Sequence, residues 1–125
     1  MEKGILLVDD DHELRFFMSR VLQNNGYRVF EASNGMHGLK LYDKVQNFTN
    51  LIVTDFEMPL LNGAEMLREI LSINPEMPFI VLSGRNYIDI DFNFYGLDKS
   101  KIKFMGKPLI IPEFEKLIFE QLSSN

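Results

Sequence analysis

Five short apolar runs, separated by segments with helical spacing, constrain this chain more than any other feature. The runs are Ile5-Leu6-Leu7-Val8, Tyr27-Arg28-Val29-Phe30-Glu31, Leu51-Ile52-Val53-Thr54, Phe79-Ile80-Val81-Leu82 and Ile102-Lys103-Phe104-Met105. Near-continuous Ile, Leu, Val and Phe is the pattern of strands buried on both faces, as in parallel sheets. Alternation of such strands with helices predicts a parallel sheet covered on both sides. With 125 residues the chain makes one domain, large enough to bury a core without staples.

The helical segments carry their own punctuation. Asp11 is placed to cap a first helix, whose apolar positions are Leu14, Phe17, Met18, Val21 and Leu22 and whose stop is Asn24-Asn25-Gly26. Ser33 or Asn34 caps a second, expected to bury Met36, Leu39, Tyr42 and Val45. Asn62 with Glu65 forms a capping box for a third, burying Met66, Leu67, Ile70 and Leu71. Pro112 opens a last helix with Phe114, Leu117, Ile118 and Leu122 inside. The fourth crossover, Gly84 to Lys101, breaks this rhythm. There Ile88, Ile90, Phe92 and Phe94 alternate with Asp89, Asp91 and Asn93, a period of two. Weak helix formers and Gly96 predict a short or irregular helix in that stretch. Its aromatic residues, Tyr87, Phe92, Phe94 and Tyr95, are expected to pack into the core rather than form a docking patch.

Composition removes several function classes. There is no cysteine, so disulfides, zinc-thiolate sites and thiol nucleophiles are excluded. Net charge is −5 and no cluster of Lys or Arg stands out, so the footprint of a nucleic-acid binder is missing. No apolar stretch approaches a membrane span and the start lacks a signal-peptide pattern. A soluble cytoplasmic protein is the expectation.

The chemistry lies where the runs stop. The first ends at Asp9-Asp10, the third at Asp55 and the fourth at Ser83, and the fifth is followed by Gly106, Lys107 and Pro108. In open α/β sheets, ligands bind beyond the carboxyl ends of the strands, where strand order reverses. With order 2-1-3-4-5, Asp9, Asp10 and Asp55 converge at that reversal. Crowded carboxylates resist ionising unless a cation neutralises them, and oxygen-only donors favour a hard ion, Mg²⁺ first. Ser83 adds a hydroxyl and Lys107 an ammonium suited to phosphoryl oxygens. Together these groups make the kit for phosphoryl transfer onto a carboxylate. Taken singly, each has an ordinary explanation as a helix cap, a turn residue or a solvated lysine. His12 and His37 sit in polar helical contexts and read as surface residues.

Over nearly all of its length the chain resembles the receiver domain of two-component response regulators. The resemblance is carried by Val8-Asp9-Asp10-Asp11, Asp55-Phe56-Glu57-Met58-Pro59 with Gly63 following, Ser83, and Lys107-Pro108, in family order and near family spacing. It implies a flavodoxin-like (βα)5 fold, strand order 2-1-3-4-5, over residues 1–125. It implies that Asp55 accepts a phosphoryl group from a histidine kinase or phosphotransfer protein. Asp10 and Asp55 would hold Mg²⁺ directly, Asp9 through water and Glu57 through its backbone carbonyl. Ser83 and Lys107 would contact the phosphoryl oxygens. Phe104 occupies the place of the family's switch aromatic, and Lys107-Pro108 that of its cis peptide. Ser83 would move inward on phosphorylation and Phe104 would fill the space it leaves. Such a domain signals to a downstream effector rather than turning over a substrate, assisting only its own phosphorylation and dephosphorylation.

Gly84 to Lys101 departs from the family pattern, being slightly long and lacking an Ala-rich helix, and Gly84 stands where Ala is common. Glu57 and Arg85 sit where family members tune the lifetime of the phosphoryl group, and their opposite charges are placed to pair across the site mouth. Three other readings compete. A haloacid-dehalogenase-like phosphatase also uses a strand-end Asp with an acid two positions on, then Ser or Thr, then Lys, but in a longer chain with the nucleophile on the first strand. A flavodoxin-like electron carrier needs hydroxyls and backbone donors in a first loop that here is acidic. A phosphate-independent binding module on the same fold would have no need of the acceptor-site residues. No effector domain follows the last helical pattern, which leaves a stand-alone receiver or a piece of a larger regulator.

Overall fold

All five apolar runs form strands of one parallel sheet, in the order β2-β1-β3-β4-β5. The computed structural model describes residues 2–85 and 90–123. In chain order the elements are β1 (Gly4–Val8), α1 (His12–Asn24), β2 (Arg28–Ala32), α2 (Gly35–Val45), β3 (Leu51–Asp55), α3 (Gly63–Ile73), β4 (Phe79–Ser83), β5 (Lys103–Gly106) and α4 (Ile111–Ser123). A 3-10 turn, Gln46–Phe48, follows α2. Among the described residues, the crossover from β4 to β5 contains two 3-10 turns, Phe92–Tyr95 and Lys99–Lys101, and no α-helix. Asn86, Tyr87, Ile88 and Asp89 lie outside the described residues.

Successive side chains of a strand point to opposite faces, and each face has its own core. Ile5, Leu7, Leu51, Val53, Ile80 and Leu82 pack with Met18 and Leu22 of α1 and with Phe114, Ile118 and Leu122 of α4. Leu6, Val8, Ile52 and Val81 pack with Tyr42 of α2, with Ala64, Met66, Leu67 and Ile70 of α3, and with Phe92 and Leu97 of the fourth crossover. β1, β3 and β4 are buried along their whole length, while the edge strands β2 and β5 are only partly covered. That difference matches their sequences: Arg28, Glu31 and Lys103 interrupt the outer runs, and none of the inner runs contains a charge before its end.

The expected punctuation is in place. Asp11 accepts the Leu14 N–H, Asn34 caps α2 through the His37 N–H, and Asn62 and Glu65 form a reciprocal capping box. Gly26 leaves α1 at a φ of 89°, the left-handed region open to glycine. Two core assignments need correction. Phe17 is half exposed and Met36 is exposed, because α1 turns Met18, Ser19 and Leu22 inward and α2 buries Gly35 and Gly38 instead. The aromatic residues of the fourth crossover divide. Phe92 is buried and Tyr95 packs against the core, both edge-on to Phe56, whereas Phe94 is 78% exposed. Tyr87 falls outside the described residues. No described helix is long and apolar enough to cross a membrane.

Candidate functional site

Parallel strands in register deliver their carboxyl ends to one edge. Val8 lies opposite Thr54, Asp55 opposite Leu82, and Ser83 opposite Gly106, so the residues at or just past these ends are neighbours. Asp9 leaves β1 wholly buried, its N–H bonded to the Ala32 carbonyl at 3.1 Å. Its carboxylate accepts the Asp11 N–H at 2.9 Å and the Lys107 ammonium at 2.9 Å. Asp10 follows, exposed. Asp55 ends β3, buried, with one carboxylate oxygen 3.3 Å from the same Lys107 nitrogen.

The loop after Asp55 turns tightly, with Gly63 N–H bonded to the Phe56 carbonyl at 2.9 Å. Any Cβ at Gly63 would run into the Asp55 carbonyl oxygen, so the start of α3 can approach β3 this closely only with glycine there. Lys107 is fixed from the other side, its N–H bonded to the Ser83 carbonyl at 2.8 Å, and the Lys107–Pro108 bond is cis.

Asp9, Asp10 and Asp55 each offer a carboxylate oxygen, and the three atoms lie within 4.8 Å of one another. Glu57 does not join this group with its carboxylate. It accepts a hydrogen bond from the Ser83 hydroxyl at 3.3 Å and lies 4.0 Å from the Arg85 Nε. The Arg85 guanidinium stands 5.7 Å from the centre of the Phe56 ring, and its backbone N–H donates to Ser83 Oγ at 2.9 Å. Phe104 is partly buried against the core that holds α2 and α3. His12 and His37 are exposed, as expected.

The electrostatics follow from this crowding. Burial, then the charge of Asp9, pushes the Asp55 carboxyl up from 3.8 to about 6, against the opposing pull of Lys107. Burial works against the charged form of Lys107 as well. Its hydrogen bond to Asp9 and the charges of Asp55 and Asp9 outweigh that, and its pKa is raised. The result is an acidic pocket with hard oxygen donors for a metal ion and an ammonium already inside it.

One participant carried no sequence expectation. Arg15, a turn into α1, reaches back to bond the Asp9 carbonyl at 2.7 Å. Its spacing from the acids was visible, but the direction of a long side chain was not.

The family model for the response regulator receiver domain matches residues 5–118. The chain belongs to that family. Among the receiver domain's relatives, the response regulator MprA of Mycobacterium sp. (strain KMS) is 34% identical over 90% of this chain and 47% of its own length. The sensor kinase CckA of Brucella abortus (strain 2308) is 30% identical over 94% of this chain and 12% of its own. The receiver domain thus spans less than half the length of these two curated relatives. Among solved structures, a response regulator receiver domain protein from Clostridium thermocellum superposes with a TM-score of 0.84 at 28% identity, covering 97% of this chain and 94% of that one. The chemotaxis protein CheY4 of Vibrio cholerae shares the fold at a TM-score of 0.85 and 23% identity, over 98% of this chain and 100% of its own.

Proposed function

We propose that this receiver domain takes a phosphoryl group onto Asp55 from a histidine kinase or phosphotransfer protein and passes the change to a downstream effector. The observation that carries this is the grouping of three carboxylates, two of them paired with the Lys107 ammonium, with a hydroxyl on the adjoining strand. In the transfer, an Asp55 carboxylate oxygen forms a bond to phosphorus as the donor's nitrogen–phosphorus bond breaks, and that electron pair returns to the donor imidazole. Lys107 stands ready for a phosphoryl oxygen, being already within reach of Asp55. Ser83 supplies a second donor once its hydroxyl leaves Glu57.

The oxygen-only donor set of Asp9, Asp10 and Asp55 fits Mg²⁺. As the family resemblance implies, Asp10 and Asp55 would hold it directly, Asp9 through water and Glu57 through its backbone carbonyl. When bound, that ion supplies charge neutralisation among the acids and the phosphoryl oxygens. Burial, then the charge of Asp9, raises the Asp55 pKa even with Lys107 beside it, a cost that a bound cation would relieve. Glu57 and Arg85, facing each other over the pocket, hinder water on its way to the acyl phosphate. On this reading the domain is a phosphoprotein of the cytoplasm and not a turnover enzyme.

The test is intact-mass measurement after treatment with a small acyl phosphate, with and without Mg²⁺, on the parent and on Asp55→Asn. A phosphate-sized gain that needs both the metal and Asp55 is expected. No gain in the parent under any condition would leave a phosphate-independent module. On the phosphorylated protein, Glu57→Ala and Arg85→Ala should each shorten the half-life of the adduct. An unchanged half-life in both would remove that pair from the account.

A further inference from the structure

Arg15 does more than cover the end of β1. One of its terminal nitrogens donates to the Asp9 carbonyl at 2.7 Å. Its Nε lies 3.2 Å from the Glu31 carboxylate near the end of β2. Its other terminal nitrogen lies 3.0 Å from His12 Nδ1, and because a guanidinium offers no lone pair, Nδ1 is the acceptor. Only 12% of the side chain is exposed. A rigid planar fork therefore ties together the ends of two strands and the first turn of α1.

Asp9 sits at the centre of that tie. Arg15 holds its carbonyl, the Ala32 carbonyl holds its N–H, and the Asp11 N–H and Lys107 hold its carboxylate. Asp10 is exposed, so its carboxylate takes its position from the backbone on either side.

We propose that Arg15 is a positioning residue for the acidic pocket, fixing the β1–α1 turn so that Asp9 and Asp10 present their oxygens to a divalent cation. The inference rests on the reading of Asp9, Asp10 and Asp55 as a cation site. Charge and geometry make opposite predictions here, and that makes the role testable. A guanidinium near three acids repels a second cation, so by charge alone its removal strengthens metal binding. By geometry its removal frees the Asp9 carbonyl and loosens the turn, which the metal must then reorder, so binding weakens. Geometry dominates, because the Glu31 carboxylate already pairs the guanidinium and leaves little charge to act on the pocket.

Mg²⁺ alone, titrated calorimetrically into the parent, Arg15→Ala and Arg15→Lys without any phosphodonor, separates the two. Thermal unfolding in chelator confirms that each variant is folded. Arg15→Ala should bind roughly tenfold more weakly, the size seen when outer partners of metal ligands are removed. Arg15→Lys should fall between, since it keeps the charge but cannot bridge Asp9 and Glu31 at once. A folded Arg15→Ala that binds Mg²⁺ as well as the parent, or better, overturns the proposal and leaves the cation site standing. Should Arg15→Ala not fold, parent-like affinity in Arg15→Lys overturns it. A parent that binds no Mg²⁺ overturns both this inference and the cation site.

Discussion

A carboxyl group that titrates near 6 favours its proton in the folded chain more than in the unfolded one, and Asp55 is such a group through burial and the charge of Asp9. The folded state then binds more protons than the unfolded state between 3.8 and about 6, so this residue's contribution to stability falls as pH rises through that window. In metal-free buffer at pH 7, Asp55→Asn should therefore melt at a higher temperature than the parent. The gap should narrow as pH drops below about 6 and the parent's carboxyl takes up its proton. Thermal melts in chelator across that range check it; a variant less stable than the parent at pH 7 would contradict the account. Asp9, Asp10, Asp55, Ser83 and Lys107 were legible in the sequence because each stands at or just past an apolar run, and a parallel sheet turns that one-dimensional fact into proximity. Arg15 was not, since its bond to the Asp9 carbonyl depends on a side chain running back along its helix.

At the scale of elements, signals that act over three or four residues survived best. The Asn62–Glu65 box needs only local geometry and forms as the spacing demands, with bonds of 2.8 and 3.1 Å. Asn62→Ala should cost about 1 kcal/mol of stability, read from the shift of a denaturant midpoint. Burial was harder to read, because it depends on what the helix leans against. In α2 Tyr42 turns inward as expected, but the inward positions of the first turns are Gly35 and Gly38, where a Cβ would meet the Leu61 backbone or the side chains of Met66 and Val8. Close packing there needs absent side chains, which leave no hydrophobic mark, and Met36 drew the assignment instead. The fourth crossover was legible as irregular for a sound reason: its residues alternate, and aromatic and β-branched groups cost a helix side-chain freedom. Which aromatic would face outward was not legible, and Phe94 does.

For the whole molecule, the sheet links the pocket to the far edge in two steps. Ser83 ends β4 and Val81, two residues earlier, lies opposite Phe104 on the edge strand β5. Phe104 is partly buried and stands on the edge strand of the sheet, paired with β4 among the described residues. We expect Phe104→Ala to accept phosphate at Asp55 as the parent does, yet to lose most of the accompanying change at β5. Amide chemical shifts along Lys103–Gly106, compared before and after phosphorylation, measure this. Shifts as large as the parent's would show that the aromatic ring is not the link.

The single ammonium shared by Asp9 and Asp55 has a last consequence, one of valence. Three carboxylates and one Lys107 leave the pocket two negative charges in surplus. A doubly charged ion brings that sum to zero, whereas sodium or potassium leaves it half cancelled. On the proposed reading of the pocket as a cation site, Lys107 thus sets its arithmetic for a divalent guest, before size or coordination number has any say.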